Sequence, residues 1–423
     1  MDSGKKTLRI AVIGGGAAGC FCAIGVKRAR PDADVTVFEA GPRLLAKVAV
    51  TGGGRCNLTN SFRDVALSGR AEPGLMRLEE VYPRGAQLMR RALRVLSPAD
   101  TQRWFEAEGV RLLTQEDQCV FPVSQDAMQI VRTLERGLRE AGVRVVCNAP
   151  VERIEALPDG GFELTGPGDM PPYDRIIVTV GGSSQQKLQR LLPEGVEVTP
   201  CVPSLFTLKI PDAGLRALMG TVVEQAALSL AGTNFRSRGT LLLTDWGVSG
   251  PATLRLSSYA ARHLADCQYT GSLHINWLDA TEAEARAWIA AAAAGDARKQ
   301  AASTPPPGIT ARLWRHLLGR AGLREDLRWA ELGGKGAARL AATLTADAYP
   351  VAGRARFKEE FVTCGGVALT GISINTLESK LFPGLFFAGE ALDLDAVTGG
   401  FNLQAAWSTA AVVAGVLAAS DAA

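Results

Sequence analysis

The chain is poor in metal-binding patterns. Its three histidines, His263, His274 and His316, stand alone. Its eight cysteines, Cys20, Cys22, Cys56, Cys119, Cys147, Cys201, Cys267 and Cys364, form no CxxC pair. This spacing argues against a zinc or iron–sulfur site. The CxxxxC pair of flavin disulfide reductases is also missing. Excess charge is scarce: a formal net charge of +3 over 423 residues gives no general pull toward nucleic acid or a membrane. Charge can still cluster, as at Arg84, Arg90, Arg91 and Arg94, where a solvated helix face competes with an RNA-binding or anionic-substrate patch. No stretch approaches 18 continuous apolar residues, and glycines break the apolar run of the N-terminal MDSGKKTLRIAVIGGG. Scattered thiols without a leader predict a reducing, cytoplasmic setting and no membrane partner.

Against these absences stands one dense motif, LRIAVIGGGAAGCFCAIGVKRARPDADVTVFEA, from Leu8 to Ala40. The apolar run Leu8–Ile13 predicts a buried parallel strand. It feeds Gly14-Gly15-Gly16-Ala17-Ala18-Gly19, a helix-compatible stretch, and a second β-branched run ending in Glu39. Strand, glycine turn, helix, strand and terminal acid together match the dinucleotide-binding βαβ fingerprint. In that pattern Gly14 allows the turn, Gly16 lets backbone approach a pyrophosphate, and Gly19 lets the helix pack against the sheet. The free N–H groups of the helix start favour the phosphates. Glu39 would accept hydrogen bonds from ribose hydroxyls.

Further along, residues 85–108 and 125–141 have helical spacing, and Val143–Cys147 reads as a strand. Pro158-Asp159-Gly160-Gly161 marks a hairpin, and Tyr173–Gly182 is another buried strand ending in glycine. From about residue 190 short β-rich runs take over: Leu205–Ile210, Val222–Leu230 and Thr240–Thr244. An alanine-rich helical part occupies about 281–330, and Thr304-Pro305-Pro306-Pro307-Gly308 reads as a hinge or linker. The glycine-punctuated pattern returns near 350, with Leu385–Glu390 as a strand ending in Gly389 and Glu390. This predicts an α/β fold in which a Rossmann-like domain, 1–190 and 346–423, is interrupted by a β-rich domain, 191–345.

Two late strand-to-glycine junctions and the absence of a second GxGxxG favour FAD over NAD as the bound dinucleotide. The run Ala396-Val397-Thr398-Gly399-Gly400-Phe401-Asn402 opens a helix whose N-terminus would face negative charge on the flavin.

The stretches Thr51-Gly-Gly-Gly-Arg-Cys-Asn-Leu-Thr-Asn60 and Gly389-Glu-Ala-Leu-Asp-Leu-Asp-Ala-Val-Thr-Gly-Gly-Phe-Asn-Leu-Gln-Ala-Ala-Trp407 resemble the BaiN/RdsA-like (YhiN-like) family of FAD-dependent oxidoreductases. Val81-Tyr-Pro-Arg-Gly85, Cys119–Ser124, Gly247–Pro251 and Lys358–Val367 agree. The resemblance implies a FAD domain of glutathione-reductase type with an inserted β-rich domain and a small helical part. It implies reduction of a conjugated C=C bond, in an enone-like small molecule or a nucleobase. The proposed chemistry is hydride transfer through flavin N5, with NAD(P)H or another reductant as electron donor. Amine oxidation by O2 is an alternative, as is an rRNA uridine reductase or RNA-binding flavoprotein. Expected cofactor contacts are Gly14, Gly16, Ala17, Ala18, Gly19, Glu39, Lys47, Gly53, Gly54, Val151, Thr179, Gly181, Gly389, Glu390, Gly400, Asn402 and Leu403.

Hydride transfer belongs to the flavin, so few catalytic side chains are expected. Cys56 is the first candidate proton donor, in competition with simple packing, because an unperturbed thiol is mostly protonated at pH 7. Arg55 is a candidate for holding substrate or flavin charge and Asn57 for fixing the loop. Cys364 is a weaker catalytic candidate, and Lys358 and Glu359 suggest a pair. Asp245 stands where family members often carry His. As a proton donor it would need its pKa raised by burial; a structural role is the alternative.

Overall fold

Five parallel strands lie in the order Leu385–Phe387, Arg175–Val178, Arg9–Ile13, Asp34–Phe38 and Arg144–Val146 in the computed structural model of the chain. Numbered along the chain, that order is 5-4-1-2-3, the doubly wound arrangement that places a ligand beyond the strand ends where the order reverses. The structure describes residues 7–67, 72–168, 170–355 and 362–419; Lys358 and Glu359 lie outside them. The first strand pairs on both sides, Ile10 with Val35 and with Arg175. Ile10, Ala11 and Val12 have no exposed surface, which is why this strand reads as continuous rather than alternating apolar sequence.

The chain divides into two compact units. One runs to Val202 and resumes at Val362; the other begins at Pro203. In the first unit, the helix Ala17–Ala29 and the closing helix Phe401–Ala419 pack together, with Ala414 against Gly25. A Cβ at Gly25 would stand 3.0 Å from that of Ala414. The predicted helical stretch 85–108 is two helices, Ala86–Val95 and Pro98–Ala107. Ser97 divides them: it caps the second, accepting from Asp100 N–H, and Pro98 starts it. The closing helix is long and apolar enough to cross a membrane by composition, but 67% of that window is buried inside the protein.

The second unit holds a six-stranded antiparallel sheet, ordered Leu208–Lys209, Gly247–Ser249, Arg236–Leu243, Val222–Leu230, Thr270–Asn276 and Asp347–Ala352. The last strand was expected in the nucleotide-binding domain. Its pairing with Thr270–Asn276 and its alternating burial place it on the edge of this sheet instead. Helices Glu282–Gly295, Ala311–Arg320 and Gly333–Ala346 follow the expected helical part and extend it. The run Thr304–Gly308 is not a hinge. Trp329 donates its indole N–H to Thr304 Oγ1 at 2.7 Å and Trp314 donates to Ala301 O at 2.7 Å, so buried indoles fasten this connection.

Candidate active site

The site grows from the glycine turn. Gly14 has φ +108, and a Cβ there would lie 2.5 Å from Thr179 O. Thr179 Oγ1 donates to Ile13 O and Gly14 O, bracing the turn from the neighbouring strand. A Cβ at Gly19 would stand 2.0 Å from Gly14 O, so the helix can approach the turn only with hydrogen there. Gly16 differs: a Cβ would meet nothing within 4 Å. Gly16 is also the N-cap of the helix and has no side-chain cap. The free N–H groups of the first turn therefore border open space, the arrangement a pyrophosphate needs.

Glu39, at the end of the second strand, is held by the same turn. Gly15 N–H donates to one carboxylate oxygen at 2.8 Å and Gly41 N–H to the other at 2.7 Å. Each oxygen keeps a second lone pair for a ribose hydroxyl. Asn148 N–H and Ala149 N–H bond to Gly41 O and Glu39 O, which carries the chain past this corner to the half-buried Val151. Across the sheet, Lys47 Nζ lies 2.8 Å from Glu390 Oε2, and Thr363 N–H donates to Glu390 Oε1 at 2.8 Å. Gly181 and Gly182 pass beside this carboxylate, where a Cβ at Gly182 would come within 2.5 Å of Glu390 Oε1. Gly389 N–H donates to Thr409 Oγ1, and a Cβ at Gly389 would stand 2.9 Å from Ala18 Cβ. Gly14, Gly16, Ala17, Ala18 and Gly19 are thus brought together with Thr179 and Gly389, while Lys47, Gly181 and Glu390 form an adjoining group.

The loop after Lys47 is bent by left-handed residues at Gly52, Gly53 and Gly54. Cβ atoms at Gly53 and Gly54 would meet nothing within 4 Å. Cys56, also left-handed at φ +60, has no exposed surface. Burial pushes its thiol up to about 12, against a smaller opposing effect of a hydrogen bond with Thr51. Enclosed in this way, Cys56 packs within the loop, the arrangement that competes with proton donation. The Arg55 guanidinium lies 4.4 Å from the ring centroid of Phe121, and its Nε donates to Gly52 O. Asn57 does fix the loop. With its amide oriented to satisfy both neighbours, it donates to Thr59 O at 2.9 Å and accepts from Gly400 N–H at 3.1 Å.

Gly400 is the start of the closing helix and has φ +86, with Thr59 O 2.4 Å from where a Cβ would be. Asn402 accepts from Ala396 N–H at 2.9 Å and donates to Ala396 O at 3.0 Å. Its side chain shapes the loop, and Asn402 and Leu403 lie in the first turn of the closing helix. Cys364 is fully buried between strand neighbours, and Asp245 is exposed in a turn, its carbonyl accepting from Arg216 Nε at 2.6 Å.

A set of residues outside the sequence-based expectations holds the loop before the closing helix. Tyr82 OH donates to Phe401 O at 2.9 Å, and Val397 N–H donates to Val81 O at 2.9 Å. Arg84 forms a two-pronged pair with Asp395, with Nε 2.6 Å from Oδ1. Asp395 has no exposed surface and the Arg84 side chain is 13% exposed. Gln404, buried in the helix, accepts from Thr59 Oγ1 at 2.5 Å, and Trp407 donates its indole N–H to Leu58 O. The sequence signal was a polar Gln and an acidic pair within an otherwise apolar segment.

The residues present fit FAD: an open cradle at Gly16, an acid fixed at the ribose position, and a second helix led by glycine at Gly400. Comparison with known proteins gives the family. The family model described as "HI0933-like protein Rossmann domain" matches residues 8–416. A 3-dehydro-bile acid delta(4,6)-reductase of Clostridium scindens is 27% identical, over 95% of this chain and 97% of the relative. A ribosomal RNA dihydrouridine synthase of Haemophilus influenzae is 28% identical, over 94% and 96%. Among solved structures, 3-ketosteroid delta1-dehydrogenase from Sterolibacterium denitrificans aligns with a TM-score of 0.47 at 12% identity, over 99% of this chain and 100% of that chain. The chain belongs to the HI0933-like Rossmann family and is a flavin-dependent oxidoreductase.

Proposed function

We propose that the protein reduces a C=C bond conjugated to a carbonyl, in an enone-like small molecule or a pyrimidine base, with electrons from NADH or NADPH. The observation that carries this reading is the full-length match to two relatives whose named reactions share one chemistry. A delta(4,6)-reductase acting on a 3-dehydro bile acid and a dihydrouridine synthase both saturate a ring C=C bond conjugated to a carbonyl. The ledger balances: the nicotinamide gives up a hydride, the carbon β to the carbonyl gains it, and a proton from solvent or protein goes to the α carbon.

When bound, FAD would supply the relay of that hydride through its N5. The chain's own residues supply the holding. Gly16 and Ala17 would offer N–H groups to the pyrophosphate, and Glu39 would accept from the ribose hydroxyls. The Lys47–Glu390 pair, at the end of the strand Leu385–Phe387, would border the sugar chain. The start of the closing helix would stabilise negative charge near the ring system by about 0.3–1 kcal/mol, and up to about 2 kcal/mol if partly buried.

The test is a pair of anaerobic half-reactions. NADH or NADPH should bleach the flavin, and an enone or a uridine-containing RNA should restore its colour with formation of the saturated product. Bleaching by an amine, with no reoxidation by any enone or uridine, would contradict the proposal.

A further inference from the structure

We infer that the depression lined by Arg90, Arg91 and Arg94 binds a phosphate group carried by a nucleotide. The site is separate from the flavin cleft. Val412 forms part of its wall, eleven residues beyond Phe401, which is about 16 Å along the closing helix at 1.5 Å per residue. The inference therefore does not rest on the reading of the glycine turn.

The sequence already singled out these arginines, and the structure gives them a shape. Gln87, Arg90, Arg91 and Arg94 occupy one stripe of the helix Ala86–Val95, at spacings of three, four and seven residues. With Asn375 and Val412 they line a cavity of about 510 Å³. No carboxylate lines it. Glu79, outside the lining, pairs with Arg90 Nη2 at 2.5 Å and offsets one of the three positive charges. Arg91 donates to Asn375 Oδ1. Arg94 makes no hydrogen bond or ion pair with any described residue, and two guanidinium charges are left without a counter-charge.

One atom demands an explanation. Arg90 Nε is buried and has no hydrogen-bond acceptor. Buried donors are almost always satisfied, and leaving one unpaired costs about 1–3 kcal/mol. An anion in the depression supplies the acceptor. Guanidinium forks match the several oxygens of a phosphate, and three of them converging suit it better than a single carboxylate. The volume exceeds that of one phosphate, and Val95, Ile374 and Val412 give an apolar wall for an attached sugar or base. Two phosphate carriers follow from the proposed function, on which this choice of ligand rests: a free phosphorylated dinucleotide and an RNA strand.

The experiment uses the full-length, flavin-loaded protein. Inorganic pyrophosphate, NADPH and a short oligouridylate are titrated in turn, for the wild type and for an Arg91→Glu/Arg94→Glu variant. Flavin content and melting temperature are recorded alongside. The expected result is binding that weakens as salt rises and falls about tenfold or more in the variant, with flavin content unchanged. Competition between pyrophosphate and NADPH assigns the phosphate to the dinucleotide; competition with the oligouridylate alone assigns it to RNA. Should the double variant fold poorly, Arg94→Ala, which removes no internal bond, takes its place with a severalfold loss expected. Absence of binding by all three probes, or wild-type affinity in a folded variant, overturns the inference whatever the flavin site does.

Discussion

Gly16 and Gly19 stand three residues apart and answer to different constraints. At Gly16 the backbone is ordinary, φ −84, and the space beside it is open. At Gly19 the space is filled by Gly14 O. Gly16→Val should therefore fold normally yet lower FAD affinity about tenfold or more, a loss of about 1.4 kcal/mol or greater. Flavin titration and thermal melting would check both halves. Gly19→Ala should instead cost about 1–3 kcal/mol in stability, as overpacked positions do, and lower the melting temperature before any question of affinity arises. These roles were legible in the sequence because the fingerprint is local and each glycine answers to a neighbour a few residues away. The role of Cys56 was not. A glycine-rich loop suggested access, while the fold turns the thiol inward at a left-handed residue. Accordingly, Cys56→Ala should reoxidise on substrate within about threefold of wild type, less than about 1 kcal/mol in barrier. A rapid-mixing measurement of the reduced enzyme would check this.

Between elements, the segment Val81–Gly85 grips the loop that leads into the closing helix. Three contacts do this: the Tyr82 hydroxyl on Phe401 O, the Val81 carbonyl on Val397 N–H, and the Arg84–Asp395 pair. A Cβ at Gly85 would strike Leu394 at 2.6 Å, so the two segments meet at backbone distance. Removing one partner of a buried ion pair typically costs about 3–5 kcal/mol, because the other charge is stranded. Asp395→Asn should thus lower the melting temperature and loosen flavin, read as faster flavin release on dilution. The residues involved lie more than 300 positions apart along the chain. No periodicity or spacing links them, which is why the sequence predicted the helix start but not what holds it. The strand Asp347–Ala352 was misplaced for a related reason: its partner, Thr270–Asn276, is chosen by sheet pairing and not by local pattern. The split at Ser97, by contrast, carried a local signal in its cap and the following proline.

For the whole molecule, most strands of the parallel sheet coincide with runs that the sequence showed as continuously apolar, while their order is set by long-range pairing. The second unit's antiparallel sheet showed only as scattered short runs, since its strands alternate inward and outward residues. Buried thiols add a global property. Cys20, Cys22 and Cys56 are all raised above the ordinary value of 9.0, chiefly by burial, Cys22 and Cys56 to about 12. The native state keeps these protons after the unfolded chain has lost them. Their contribution to stability is complete below about pH 9 and is lost as pH rises from there toward about 12. Melting temperature should fall along that alkaline limb, and a Cys22→Ala/Cys56→Ala variant should show a shallower fall.

The most direct measurement is an equilibrium titration of flavin-free protein with FAD and with FMN, for wild type and Gly16→Val. The account predicts one FAD per wild-type chain, far weaker FMN binding because FMN lacks the pyrophosphate and the adenosine ribose, and loss of FAD binding in a variant that still melts as wild type does. Wild-type protein that takes up no FAD, or a Gly16→Val variant that binds it equally well, would contradict it.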